Sequence, residues 1–451
     1  MLNKVGIISL GCAKNLTDAE IMIAELKKAG YEIVDNHNFA EIMIINTCCF
    51  IDSAKQESIE TILDVADLKK DASLKLLIVA GCLGERFKEE ILQELPEVDG
   101  VCGTGDFADI CDVIKKVEQN RGIYLKGHKF APLDCNDREL LTPPYTAYLK
   151  IAEGCDNCCT YCVIPSIRGK YRSRSLENIL NEAKILVKNG VKELVIIAQN
   201  VSCYGKDLDG VSLKELILEL SFINDLKWIR LHYLYPEEID DELIDCIAEN
   251  DKVVKYFDIP VQHISDSILK RMGRKTSGRR IKELIDKIRS KMPDAVIRTS
   301  LIAGFPGETE EDFSELLSFI KEYKIDHLGV FAYSCEEGTP AAKLPDQIDE
   351  DVKLNRQELA MQLQYDVAYE NNQKRLNKNE TVLVEGYDKI TKLYFGRTYR
   401  DSIDVDAKVF VKSDIPLQNG EFYEVLITDI LDYDVLGEYK FEKENTNEFT
   451  E

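Results

Sequence analysis

Between residues 147 and 334 six apolar runs recur, with an amphipathic helical pattern between most neighbours. They are AYLKIAEG (147–154), ELVIIAQN (193–200), WIRLHYLYP (228–236), KYFDIPVQ (255–262), AVIRTSLIAGFP (295–306) and HLGVFAYS (327–334). LENILNEAKILVKNG and SLKELILELSFI are two of the intervening helices. Six βα units in series allow few folds. A strand that returns parallel to its predecessor needs a crossover, and repeated crossovers of one hand curl the sheet into a barrel or part of one. Catalytic groups then belong at the C-terminal ends of the strands. The expected fold class is α/β, with this (β/α)6 partial barrel over 141–373 as its core.

The flanking segments follow different patterns. Over 1–134, VGIISLGC (5–12), EIMIINTC (41–48) and LKLLIVAGC (74–82) each precede a helical stretch, at a repeat of about 35 residues. That reads as a separate parallel α/β domain. The polar stretch LDCNDRELLTPP links it to the core, and a long polar helix over about 351–376 leads out of it. Over 378–445 the runs ETVLVEGYD, KLYFGRTYRD, DAKVFVKS and EFYEVLITDILDYDVLGEY are short and β-rich, the signature of a small antiparallel barrel. EKENTNEFTE at the end reads as an acidic disordered tail.

No apolar run approaches the roughly 18 residues of a membrane helix. The chain begins directly with a strand-like run rather than a signal peptide, which points to the cytoplasm. In that compartment most of the 14 cysteines stay reduced, and clustered ones indicate metal or catalysis. The formal net charge of −24 repels nucleic acid and favours a basic partner.

Cys12, Cys48 and Cys82 each follow an apolar strand-like run. Parallel strands end along one edge, so these thiols converge, and soft thiolates favour a metal cluster or zinc. Cys49 is expected to point away from Cys48, and Cys102, in GVCGTGD, to end near the same edge; both are minor ligand candidates. A second group, CDNCCTYC, follows the first strand of the barrel. It can be read as C-x-x-x-C-x-x-C (Cys155, Cys159, Cys162) or as two C-x-x-C pairs that include Cys158. A zinc ribbon needs another C-x-x-C some 15–20 residues away, and none follows. Three thiolates can instead hold three irons of a cubane cluster and leave the fourth open.

C-x-x-x-C-x-x-C after the first strand of a βα barrel, with Tyr161 before the last cysteine, resembles the radical S-adenosylmethionine (SAM) enzymes. With an N-terminal three-cysteine domain and a terminal small barrel, the whole chain is similar to the methylthiotransferases. The stretches SLGCAKNLTDAE, NTCCFIDSAKQES, CVIPSIRGKYRSR, RLHYLYP, FDIPVQHISDSILKRMGR and GRTYRD resemble the RimO-type branch, which modifies an aspartate of ribosomal protein S-twelve. Cys49 stands where that branch usually has glycine.

The resemblance implies Cys155, Cys159 and Cys162 as ligands of a SAM-cleaving [4Fe–4S] cluster. It implies Cys12, Cys48 and Cys82 as ligands of a second [4Fe–4S] cluster, and a TRAM substrate-binding domain at the C-terminus. A 5′-deoxyadenosyl radical would take hydrogen from the aspartate β-carbon, and a methylthio group would replace it, with two SAM consumed. An electron donor such as flavodoxin or ferredoxin is required. Gln199 and Asn200 end the second strand and Arg298 lies on the fifth, where polar groups at the rim are candidates to contact SAM; Tyr161 is a further candidate. Arg168, Lys170, Arg172 and Arg174 are candidates to hold a SAM or substrate carboxylate, or else form a solvated basic loop.

GFPGETEED (304–312) reads as a turn before a helix, with Thr309 as N-cap and Asp312 completing a capping box; by resemblance it lies near the adenosyl group. His232, His263, Cys111, Cys135, Cys203, Cys246 and Cys335 are expected to be structural. One rival is a tRNA adenosine methylthiotransferase of the MiaB type. Against it, residues 380–451 carry 17 Asp/Glu and 8 Lys/Arg, where a phosphate-binding module would be basic. The other rival is a non-catalytic metal-binding scaffold, which would not cleave SAM.

Overall fold

The computed structural model describes residues 2–70, 73–127, 133–134 and 137–440. Cys135 and the acidic tail lie outside the described residues. Among the described residues no helix is long and apolar enough to cross a membrane.

In the first segment β1 (Lys4–Ser9), β2 (Glu32–Ile33), β3 (Ile42–Thr47), β4 (Leu76–Gly81), β5 (Gly100–Val101) and β6 (Gly122–Ile123) form one parallel sheet, ordered β2-β1-β3-β4-β5-β6. β3 and β4 are buried at every residue, as strands covered on both faces must be. The alternation sorts their side chains. Met43, Ile45, Leu77 and Val79 pack under the helix Asp52–Ala66, while Ile42, Ile44, Leu76 and Ile78 face the helices Ala13–Lys28 and Ile110–Gln119. The short strands β2 and β6 extend the sheet beyond the three units legible in the sequence.

The second sheet contains β7 (Thr146–Lys150). β8 (Ala152–Glu153) and β9 (Arg172–Ser173) make a separate antiparallel ribbon. Next come β10 (Glu193–Ile197), β11 (Trp228–Leu231), β12 (Val253–Asp258), β13 (Val296–Ala303) and β14 (His327–Ala332). The order is β14-β13-β12-β11-β10-β7, all parallel, so β7 and β14 are edges and the barrel stays open. Leu149, Ile196, Leu231, Phe257 and Leu301 point outward into one large core with the helices. The helix Glu350–Gln373 covers β14; Gln357 donates to Val330 O and Gln364 to Ile325 O. Thr309 and Asp312 form the full capping box at the start of the helix Glu310–Tyr323.

At the C-terminus β15 (Asn379–Asp388), β16 (Leu393–Arg397), β17 (Val409–Ser413), β18 (Phe422–Leu431) and β19 (Asp434–Tyr439) close into a barrel, ordered β15-β16-β17-β19-β18. The pairing is antiparallel except for β17 with β19, which is parallel. The loop from β16 to β17 leaves this barrel and enters the concave face of the second sheet, where it meets all six strands or their ends. Arg230 donates to Tyr399 O (2.8 Å), His232 Nε2 meets Ser402 Oγ (2.8 Å), and Tyr256 donates to Asp406 (2.5 Å). Arg298 also pairs with Asp406, His327 Nε2 lies 2.8 Å from Arg400 O, and Ile403 packs with Tyr148, Val195 and Ile197.

Candidate active site

Cys12, Cys48 and Cys82 follow β1, β3 and β4, three adjacent strands, at the C-terminal edge of the first sheet. Gly11 has φ +85°, and a Cβ there would lie 2.6 Å from Cys48 Cβ and 2.9 Å from Cys48 Sγ. A side chain at 11 would therefore displace the neighbouring thiol. Ser58 holds the Cys48 backbone, accepting from its N–H (3.1 Å) and donating to its carbonyl (2.8 Å). Asn15 donates to Leu10 O and Thr47 O, which ties the turns after β1 and β3 together.

The three thiols lie within electrostatic reach of one another. Burial pushes Cys82 and Cys48 up, and the charge of Cys12 adds to that in both. Burial acts the same way on Cys12, but Lys14, Arg168 and backbone N–H groups outweigh it and leave that thiol below its ordinary value. Cys49 is fully buried in the apolar core beside Ile62 and Val65, and burial pushes it up to about 12. Cys102 packs on the opposite face with Phe107 and Ile110; its acidic neighbours are Asp106 and Glu85.

The second group sits at the end of the β8 strand. Gly154 (φ +85°) lets the chain turn where a Cβ would strike Lys170 O at 2.1 Å. Asn157 N–H donates to Cys155 Sγ and Ile164 N–H to Cys162 Sγ, each at 3.4 Å, and Arg274 Nη1 lies 4.0 Å from Cys159 Sγ. Each of the three sulfurs thus has a donor, as a thiolate requires. Burial pushes Cys155 up and Cys162 up to about 12, with Cys159 among the secondary causes for both. Cys158 is exposed and turned to Asp156 O. Among the described residues no three His, Cys, Asp or Glu side chains close on a single ion. A tetrahedral zinc needs its thiolates about 2.3 Å from one point. A cubane takes each cysteine on a separate iron, so two largely buried thiol trios with thiolate donors fit that group.

A buried ionic network runs from the first trio to the strand that leads into the second. Arg168, 2% exposed, puts Nη1 2.7 Å from Asp18 and 3.2 Å from Glu153. Its Nη2 donates to Asn15 Oδ1 and lies 3.6 Å from Cys82 Sγ. Lys150 pairs with the same Asp18 and Glu153, and Gln199 donates to Glu153 at 2.6 Å. Burial raises the Glu153 carboxyl, but Arg168 and Lys150 hold it down at about 2. Cys155 is two residues further on. A second latch joins Arg86 to Glu336 (3.1 Å), and Arg86 also donates to Cys49 O and Glu337 O.

Several expectations change in this light. Arg168 and Arg174 are not a ligand-facing or solvated loop: the first binds the chain's own Asp18 and Glu153, the second Glu182 (2.6 Å). Lys170 is exposed and Arg172 lies on β9, part-buried. Gln199 lies at the strand end with its Oε1 buried and unpartnered. Asn200 donates to Cys203 Sγ at 3.0 Å. Tyr161 packs edge-on to Phe305 at 6.3 Å in a small core with Ile268 and Met272. Arg298 is held between Asp258 (2.9 Å) and Asp406 (3.2 Å) and lines a cleft of about 480 Å³ beside the terminal barrel. Clefts of about 540 and 590 Å³ lie elsewhere, and none of the six trio cysteines lines them.

His232 and His263 are buried and partnered, the latter with Glu308 (3.3 Å) and Ser265 N–H. Cys246 is buried in the main core, Cys111 donates to Glu25 O, and Cys335 is exposed. Cys203 is close enough to feel the charge of Cys155, a proximity the sequence did not signal. Asn15, Asp18, Lys150, Glu153 and Arg274 were also missed; three of them lie inside quoted motifs.

The Radical SAM superfamily matches residues 149–320, the Uncharacterized protein family UPF0004 residues 4–103, and the TRAM domain residues 378–439. A ribosomal protein uS12 methylthiotransferase RimO of Thermoanaerobacter sp. (strain X514) is 49% identical over 97% of this chain and 100% of its own length. Proteins of the same description from Acetivibrio thermocellus (50%; 97% and 98%) and Clostridioides difficile (48%; 97% and 99%) are similar over like spans. Among solved structures, the radical S-adenosylmethionine methyltransferase TsrM from Kitasatospora setae, with tryptophan and a SAM analogue bound, shares the fold. Its TM-score is 0.55 at 14% identity, over 73% of both chains. Near-full-length identity of about half, with all three regions matched in order, places this chain in the family of ribosomal protein uS12 methylthiotransferases, radical SAM enzymes of the RimO type.

Proposed function

We propose that this chain replaces a hydrogen on the β-carbon of an aspartate of ribosomal protein uS12 with a methylthio group. It would use two SAM and two [4Fe–4S] clusters, in the cytoplasm, with flavodoxin or ferredoxin as electron source. The observation that carries this reading is the pair of largely buried cysteine trios, with Arg168 on Cys82 and its partner Glu153 two residues before Cys155. One trio alone would support SAM cleavage but would offer no second place to hold sulfur.

Cys155, Cys159 and Cys162 would hold the SAM-cleaving cluster, and Cys12, Cys48 and Cys82 the second. When bound, cluster and SAM supply a one-electron cleavage whose carbon radical takes hydrogen from an unactivated carbon. The chain's own residues position and enclose. Asn157 and Ile164 N–H groups and Arg274 orient the core sulfurs. Tyr161 with Phe305 and Met272 forms a dry wall beside them, and dry enclosure limits radical side reactions. Gln199 has a free oxygen for a SAM amino group. Arg298 gives Nε to Asp406 and Nη1 to Asp258, which leaves Nη2 to contact SAM. The acid excess of the terminal barrel suits a Lys/Arg-rich ribosomal protein better than tRNA.

The test is anaerobic reconstitution with SAM, a strong reductant, a peptide carrying the uS12 aspartate loop, and bulk tRNA. Mass spectrometry then reads SCH3 for H on each. Modified aspartate with untouched tRNA supports the reading, and modified tRNA replaces it with the MiaB-type activity. Deoxyadenosine without either product leaves radical chemistry and removes both substrates. No SAM cleavage by a fully loaded protein means a scaffold.

A further inference from the structure

Arg168 has more contacts than its ion pairs require. Lys150 already gives Asp18 and Glu153 a cation, at 2.5 and 3.1 Å. The distinct part of Arg168 is the other end of its fork. There Nη2 is fixed by Asn15 Oδ1, itself oriented by donation to Leu10 O and Thr47 O, and lies 3.6 Å from Cys82 Sγ. Arginine is always charged and its planar fork fixes five donors, enough to serve two carboxylates, an amide and a sulfur at once, where lysine has three on a single nitrogen. The whole group is 2% exposed, so its field is weakly screened.

We propose that Arg168 is a positioning residue of the auxiliary site that sets the electron affinity of the cluster bound there, through its hydrogen bond to the Cys82 sulfur. This rests on the reading that Cys12, Cys48 and Cys82 hold a cluster. One-electron reduction adds a negative charge to the cluster and its thiolates. A buried guanidinium donating to one thiolate stabilises the reduced form more than the oxidised form, as outer hydrogen bonds to cluster sulfurs do generally. Arg168 comes from the core while Cys82 comes from the first domain, so the auxiliary site acquires this property only when the two are docked. In the core site Arg274 stands near Cys159 in a comparable way, at 4.0 Å.

The experiment uses the full chain carrying Cys155→Ala, Cys159→Ala and Cys162→Ala, reconstituted with iron and sulfide, so that only the auxiliary site can load. Potentiometric titration followed by electron paramagnetic resonance gives its reduction potential. Arg168→Gln is expected to lower the potential, Arg168→Lys to recover part of the loss, and Asp18→Asn, which removes a counter-charge from the guanidinium, to raise it. A potential unchanged by Arg168→Gln at full iron content overturns the proposal. If Arg168→Gln holds no iron, Asp18→Asn decides: an upward shift sustains the proposal and no shift overturns it. If the background with Arg168 intact binds no iron, the two-cluster reading fails, and the proposal with it.

Discussion

Arg397 Nη2 lies 2.7 Å from Glu193 Oε2, with both side chains buried, and so anchors the terminal barrel to the base of a strand in the SAM core. Arg230 shares the same carboxylate at 2.9 Å. Replacing Arg397 by Met leaves Glu193 with one cation and Glu385 with none. Loss of one partner from a buried pair costs about 3–5 kcal/mol. Chemical denaturation should show that loss, and limited proteolysis should release the terminal barrel from Arg397→Met before any cleavage of the core.

Acid should act on the same interface in two stages. Burial holds His232 down at about 4, below the usual histidine value. Its contribution to stability is therefore complete above about pH 6.5 and is lost as pH falls towards 4, up to about 3 kcal/mol. Glu193, held down at about 2 by Arg397 and Arg230 despite burial, contributes fully above about pH 4.5 and loses that as pH falls towards 2. Urea unfolding between pH 7 and 4 should show the first stage in the parent chain and not in His232→Gln.

The four clustered thiols of the core should separate by iron content. Cys158→Ser is expected to keep the parent value, because that thiol is exposed and faces Asp156 O. Cys159→Ser should lose one cluster, from about eight irons per chain to about four. Iron assay after anaerobic reconstitution measures both.

Gly11→Ala is a steric probe of the auxiliary site. Its Cβ would press on Cys48 at 2.6 and 2.9 Å, and its φ of +85° adds strain. The variant should lose about four irons, retain SAM cleavage to deoxyadenosine, and make no methylthiolated product. Retention of product formation would show that the turn relaxes without moving Cys48.

The sequence carried the architecture well, for local reasons. Near-continuous apolar runs such as IMIINT and LLIVAG imply strands covered on both faces, and helical periods between them imply crossovers. Cysteines placed just after such strands reach one edge by topology alone, which made Cys12, Cys48 and Cys82 legible together. Arg168 was legible as basic but not as a link, because its partners Asp18 and Cys82 lie 150 and 86 residues away. GRTYRD stood out as a motif, but an irregular loop has no period to say where it goes. Burial hardly changes the acid excess of the terminal module: the side chains of Asp401 and Asp406 are buried against the core, but so is Arg397. Parallel pairing of β17 with β19 follows from barrel closure, which strand patterns do not encode.

The loop between β16 and β17 has a consequence for what this enzyme can accept. The concave face of the second sheet is taken up by the chain's own loop, from Tyr399 through Asp406, so no partner segment can lie along it there. Chemistry at the mouth reaches whatever projects from a larger body, such as the tip of a loop.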